Sequence, residues 1–125
     1  MGLSGKVYTS MSVLNVSNPE GLGMVNVNLD KRLVESIQNI GQKYAVERII
    51  LFGSRARGDN KGLSDIDLVI FPLPEFDKRG SLLSEFDDLR TLLKLDILFH
   101  DKHMDSRLLE NIKKEGVTLY ERTLH

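Results

Sequence analysis

Two carboxylates, Asp65 and Asp67, stand two residues apart at the head of an otherwise apolar run, residues 66–71 (IDLVIF). If that run is a strand, positions i and i+2 share a face, so both carboxylates point the same way while Ile66 points into the core. Two close carboxylates repel one another, and one is driven to hold its proton. A hard divalent cation relieves that conflict. Mg2+ takes oxygen ligands in an octahedron and typically combines carboxylates with substrate phosphates and water. An isolated pair of this kind is more often two solvated acids at a strand start, so the weight falls on what precedes it.

The preceding apolar run, residues 46–52 (VERIILF), ends in Gly53-Ser54. A glycine there leaves backbone amides approachable, and the Ser54 hydroxyl can donate to a phosphate oxygen. A short helical turn starting at Ser54 would aim free N–H groups at an anion. Arg55 and Arg57 follow at i and i+2 and cannot share a helix face, so at most one of them reaches such an anion. A polar turn, Asp59-Asn60-Lys61-Gly62, then leads to Ser64 beside the acidic pair. Taken singly, Ser54 reads as a helix cap and the arginines as a solvated rim. Competing motifs fail. A P-loop requires Gly-Lys-Ser/Thr where Gly58 is followed by Asp59-Asn60, the dinucleotide GxGxxG spacing is absent, and an EF-hand is broken by Leu68 and Val69.

The elements that must hold these residues follow from periodicity. Leu29, Leu33, Ile37, Ile40 and Tyr44 lie on one face of an amphipathic helix, with Asn28 as its N-cap. Residues 46–52 and 66–71 read as buried strands, the second stopped by Pro72 and Pro74. Leu82, Leu83, Phe86, Leu89, Leu92 and Leu93 predict a helix over 81–93, and residues 95–99 (LDILF) a third strand. Asp105 or Ser106 caps a last helix through Leu108, Leu109 and Ile112, Gly116 is its C′ stop, and residues 117–120 form a terminal apolar run that can make a fourth strand. The fold class is mixed α/β (α+β): one small mixed sheet covered by helices.

Residues 1–26 differ in character, with only Lys6 and Glu20 charged and many Ser, Gly and Asn. They read as an N-terminal extension or leader with no assigned function, Met24 being a plausible start. The alternative is an added strand or hairpin, since residues 7–13 alternate at period two. With 125 residues there is room for one ordinary domain, and 17 basic against 18 acidic residues give a net charge of −1. That balance argues against nucleic acid or an anionic membrane as a partner through bulk charge. The absence of cysteine excludes disulfides, zinc–thiolate sites and thiol nucleophiles. No apolar run approaches the roughly 20 residues that cross a bilayer. The expected location is cytoplasmic.

Gly53-Ser54, ten intervening residues, then Asp65-Ile66-Asp67 resembles the signature of the DNA polymerase β-type nucleotidyltransferase superfamily. GSRARG and SDIDL bring it close to the minimal nucleotidyltransferase (MNT) group. The resemblance covers residues 27–122, taken as the nucleotidyltransferase domain. It implies a third acid on a later strand, for which Asp87, Asp88, Asp96 and Asp101 are candidates. Asp96, alone among apolar neighbours in LDILF, needs a partner in a way the helical pair does not, and is preferred. The resemblance further implies that Asp65, Asp67 and Asp96 hold two Mg2+ ions, with Asp96 also activating the attacking hydroxyl. Gly53, Ser54, Ser64 and Arg57, more than Arg55, would hold the triphosphate of ATP. The implied reaction moves a nucleoside monophosphate, AMP from ATP, to a hydroxyl. By the same resemblance the acceptor is a tyrosine of a HEPN-family toxin, which makes the chain an antitoxin. The alternatives are a non-catalytic subunit that masks its partner sterically, and an antibiotic nucleotidyltransferase, for whose drug-binding helical domain the chain leaves no room. His100, His103, Lys94 and Lys102 near the site read as surface residues.

Overall fold

A computed structural model describes residues 6–7, 13–17, 24–59, 64–89, 91 and 93–122. The elements run β1 (Lys6–Val7), β2 (Val13–Ser17), β3 (Met24–Asn28), α1 (Lys31–Lys43), β4 (Val46–Phe52), α2 (Ser54–Arg57), β5 (Ile66–Pro72), α3 (Arg79–Asp87), β6 (Leu95–Phe99), α4 (Ser106–Glu115) and β7 (Val117–Glu121). The main sheet has the order β6-β5-β4-β7. Its pairs β4–β5 and β4–β7 are antiparallel, while β5–β6 is parallel. It is the small mixed α/β arrangement expected from the alternation of apolar runs.

The central strands are buried on both faces, which is why they read as continuous apolar runs rather than alternating ones. Ile49, Leu51, Leu68 and Ile70 share one core with Leu33, Val34 and Ile37 of α1 and Leu82 and Phe86 of α3. Ile50, Val69 and Phe71 point the opposite way, onto Ile112, Leu108 and Leu109 of α4. The sheet is thus sandwiched, with α1 and α3 on one side and α4 on the other. Parity along β5 decides what each residue meets: Ile66, Leu68 and Ile70 enter the α1 core, while Asp67 takes the other face.

Three local expectations are corrected and one is met. The cap of α1 is Asp30, whose carboxylate accepts from the Arg32 amide at 2.8 Å; Asn28 belongs to β3. Helix α3 stops at Asp87, not near residue 93; Leu89 and Leu93 still pack against the core, but from a non-helical connection that feeds β6. The terminal run is a strand, β7, paired with β4, as its apolar pattern allowed. Gly116 follows α4 with an extended backbone (φ −70°, ψ 160°), so it is no left-handed stop. Its small size matters instead, because a Cβ there would run into the Ile112 carbonyl and meet Ile50 Cγ2 at 2.7 Å. At the N-terminal end β1, β2 and β3 form an antiparallel sheet of their own, with Val13 opposite Asn28 and Ser17 opposite Met24. Most of the alternating stretch 7–13 lies outside the described residues.

Candidate active site

Strand β4 runs antiparallel to β5 with Phe52 opposite Asp67, so the chain leaving β4 at Gly53 passes beside the Asp67 carboxylate. Gly53 has φ +78°, and a Cβ on it would stand 2.5 Å from Asp67 Oδ2. The backbone angle favours glycine, and a larger residue would also displace the Asp67 carboxylate. One helical turn follows. The Ala56 and Arg57 amides both donate to the Gly53 carbonyl at 3.1 Å, and the Gly58 amide donates to the Ser54 carbonyl at 2.9 Å. Gly58, with φ +86°, ends the turn in the left-handed region. Half-buried Ser54 therefore sits at the start of α2, next to the acids.

The parallel ladder between β5 and β6 supplies the third acid. Asp67 lies in register with Asp96, flanked by the pairs Ile66–Leu95 and Leu68–Ile97. Paired residues on neighbouring strands project to the same face, so the two carboxylates are neighbours across the sheet. Asp65 precedes β5 by one residue on the same parity. Burial, first, and then the charges of Asp96 and Asp65 push the Asp67 carboxyl above the usual carboxylate range; Arg57 pulls the other way. Asp96 is about half exposed, with Lys94 Nζ 3.8 Å from its Oδ1. Among the described residues no three carboxylate or imidazole groups converge as they stand on a point that could hold a metal ion. The donor set is nonetheless three hard oxygen ligands, one of them carrying a charge its surroundings oppose, and exposed Asp96 has room to turn. That chemistry fits a divalent cation of the Mg2+ type.

The other candidate acids lie elsewhere. Asp87 ends α3, Asp88 caps it, and Asp101 accepts from the His103 amide at 2.7 Å in a loop. His100 stacks on Phe71 at 4.6 Å.

The two arginines diverge. Arg55 is buried, 7% exposed, and its Nε donates to the Ser64 carbonyl at 3.0 Å, strapping the α2 turn to the residue before the acids. Arg57 faces solvent. Its Nε donates to Asp59 Oδ2 at 3.1 Å and its Nη1 to Glu115 Oε1, at the end of α4, at 3.4 Å. Those two carboxylates, Asp59 foremost, raise its pKa further. Neither the strap nor Glu115 is signalled by sequence. Arg55 meets a backbone carbonyl, which every residue has, and Glu115 is 58 residues from Arg57.

Residues 35–124 match the family model Polymerase beta, Nucleotidyltransferase. The chain belongs to this nucleotidyltransferase family. Over 105 residues it is 30% identical to "Putative protein adenylyltransferase MJ0604" of Methanocaldococcus jannaschii, a span of 75% of this chain and all of that one. Its fold is similar to that of a chain in a crystal structure of a toxin–antitoxin with AMP-PNP (TM-score 0.53, 19% identity, 72% of this chain and 74% of that one). It is also similar to a chain of the toxin–antitoxin MntA–HpeT, solved as a mutant (TM-score 0.52, 17% identity, 72% and 74%). At these identities the structural likeness is one of fold. Among the described residues no helix is long and apolar enough to cross a membrane.

Proposed function

We propose that this nucleotidyltransferase moves AMP from ATP, with Mg2+, onto a hydroxyl of a partner protein, a tyrosine of a HEPN-family toxin, and so acts as an antitoxin. The observation that carries the reading is the ladder: Asp96 in register with Asp67, and Gly53 pressed against the same carboxylate. The relative named as a protein adenylyltransferase supports a protein acceptor, and the toxin–antitoxin structures of the same fold support a toxin as that acceptor.

Asp65, Asp67 and Asp96 would hold the metal. When bound, Mg2+ supplies a Lewis acid for the α-phosphate and neutralises charge on the departing pyrophosphate. The rest falls to this chain's own groups. Gly53 lets the backbone lie close to the acids, and the Ser54 hydroxyl donates to a phosphate oxygen. Arg57, with its cation at the rim, balances charge on the β- and γ-phosphates. Asp96, the most open of the three acids, takes the proton of the attacking hydroxyl as its oxygen bonds to the α-phosphorus and the bond to pyrophosphate breaks. Ser64 borders this path; its carbonyl is engaged by Arg55.

Co-expression with the partner toxin followed by intact-mass analysis tests the reading. The partner should gain one or more AMP units, and the gain should vanish with Asp65→Asn and with Asp96→Asn but persist with Asp88→Asn. Neutralisation of the toxin by Asp65→Asn with no mass gain in either case would establish steric masking instead.

A further inference from the structure

Arg57, a rim cation close to the acids, is held from two sides. Asp59, just beyond α2, takes Nε, and Glu115, the last residue of α4, takes Nη1. The two acids come from separate elements on either side of the guanidinium. A planar guanidinium fixed through Nε and Nη1 has little rotation left, so the direction of Nη2 is set as well. No partner for Nη2 is present among the described residues. Arg57 is near enough to the acids for its charge to act on Asp67. Pairs this exposed, at 42% for Arg57, 62% for Asp59 and 45% for Glu115, add little to stability. Holding a long side chain in one geometry before a ligand arrives does matter to binding, because that ordering need not then occur on association.

We infer that Glu115 is a positioning residue for the triphosphate: with Asp59 it fixes the plane of Arg57 so that the open edge of the guanidinium faces the phosphates. The inference rests on the nucleotide reading given above. It adds α4 to the site, an element that carries none of the GSx10DxD motif. It also gives the junction between α4 and β7, where Gly116 must be small, a bearing on nucleotide affinity.

The test is calorimetric titration of the full chain with a non-hydrolysable ATP analogue and Mg2+, with adenosine alone as control. Glu115→Ala should weaken the triphosphate by roughly fivefold, the effect of about 1 kcal/mol, and leave adenosine unchanged. Glu115→Gln keeps a carbonyl oxygen to accept from Nη1 and should recover most of the loss. In an Arg57→Ala background, Glu115→Ala should have no further effect, and the melting temperature of Glu115→Ala should stay within error of the parent. Equal weakening with and without Arg57, or tighter binding in Glu115→Ala, would overturn the positioning role while leaving the nucleotide site intact. Unchanged affinity in Arg57→Ala would remove the phosphate role of Arg57, and a parent chain that binds no triphosphate would overturn the nucleotide reading itself.

Discussion

Asp67 is the residue at which fold and chemistry conflict. Its carboxyl is half-buried and faces two other acids, so its pKa stands above the ordinary range. The folded state therefore binds this proton more tightly than the unfolded chain does, and ionisation costs stability. That cost is full above the folded pKa and disappears as pH falls below the unfolded value. Asp67→Asn should thus raise the melting temperature of the metal-free protein at neutral pH, and the gain should shrink as pH approaches the carboxylate range. The same variant should lose stabilisation by Mg2+ and ATP. A metal-free protein destabilised by Asp67→Asn at neutral pH would contradict this account. Much at this scale was legible in the sequence. Period-two alternation places Asp65 and Asp67 together, and a lone acid inside LDILF marks Asp96. The buried strap of Arg55 was not, because its partner is the Ser64 backbone carbonyl, which has no signature in residue type.

Between elements, the link from α1 to α3 runs through a three-residue polar group. The Tyr44 hydroxyl donates to Glu85 Oε2 at 2.5 Å, and Lys43 Nζ pairs with the same oxygen. Lys43, then Tyr44, hold the Glu85 carboxyl below its usual range, and Glu85 in turn raises both of theirs. A lowered folded pKa gives stability that is full above the ordinary carboxyl value and is lost as pH falls through the folded one. Parent and Glu85→Gln should therefore differ in thermal stability at neutral pH and converge on acidification; a difference independent of pH would exclude the charge as its source. In the same region local periodicity and the fold part company. Leu89 and Leu93 keep helical spacing past the true end of α3, but the chain there must turn to enter β6 beside β5, and tertiary geometry outweighs local periodicity. Gly116 reads as a helix stop in sequence; its smallness answers to the Ile112 carbonyl one turn back and to Ile50, a distant residue that no local pattern reveals.

For the molecule as a whole, Arg122 closes the architecture at its C-terminal end. Its Nε donates to the Val46 carbonyl at 2.9 Å and its Nη2 to those of Tyr44 at 2.6 Å and Gly41 at 3.0 Å, binding the end of β7 to the turn between α1 and β4. Arg122→Ala leaves those carbonyls without this partner and should cost about 1.5–3 kcal/mol in chemical denaturation, as for hydrogen bonds to a charged group. Arg122→Lys should recover only part, since an ammonium cannot span the fork. A loss near zero in Arg122→Ala would mean that water replaces the clasp at no cost. The β5–β6 ladder has a wider consequence. The acids meet through strand pairing, so the 29-residue distance along the chain from Asp67 to Asp96 plays no part in their alignment. The connection through α3 could lengthen without disturbing them, provided β6 keeps its parity. A one-residue slip of β6 would turn Asp96 toward the apolar side that Leu95, Ile97 and Phe99 now line, and put one of those residues opposite Asp67. The misregistered chain would bury a charge and expose a core residue together. Alternation thus works as a parity check on assembly: a chain that passes it has both a sound core and a full set of acids, and one that fails it has neither.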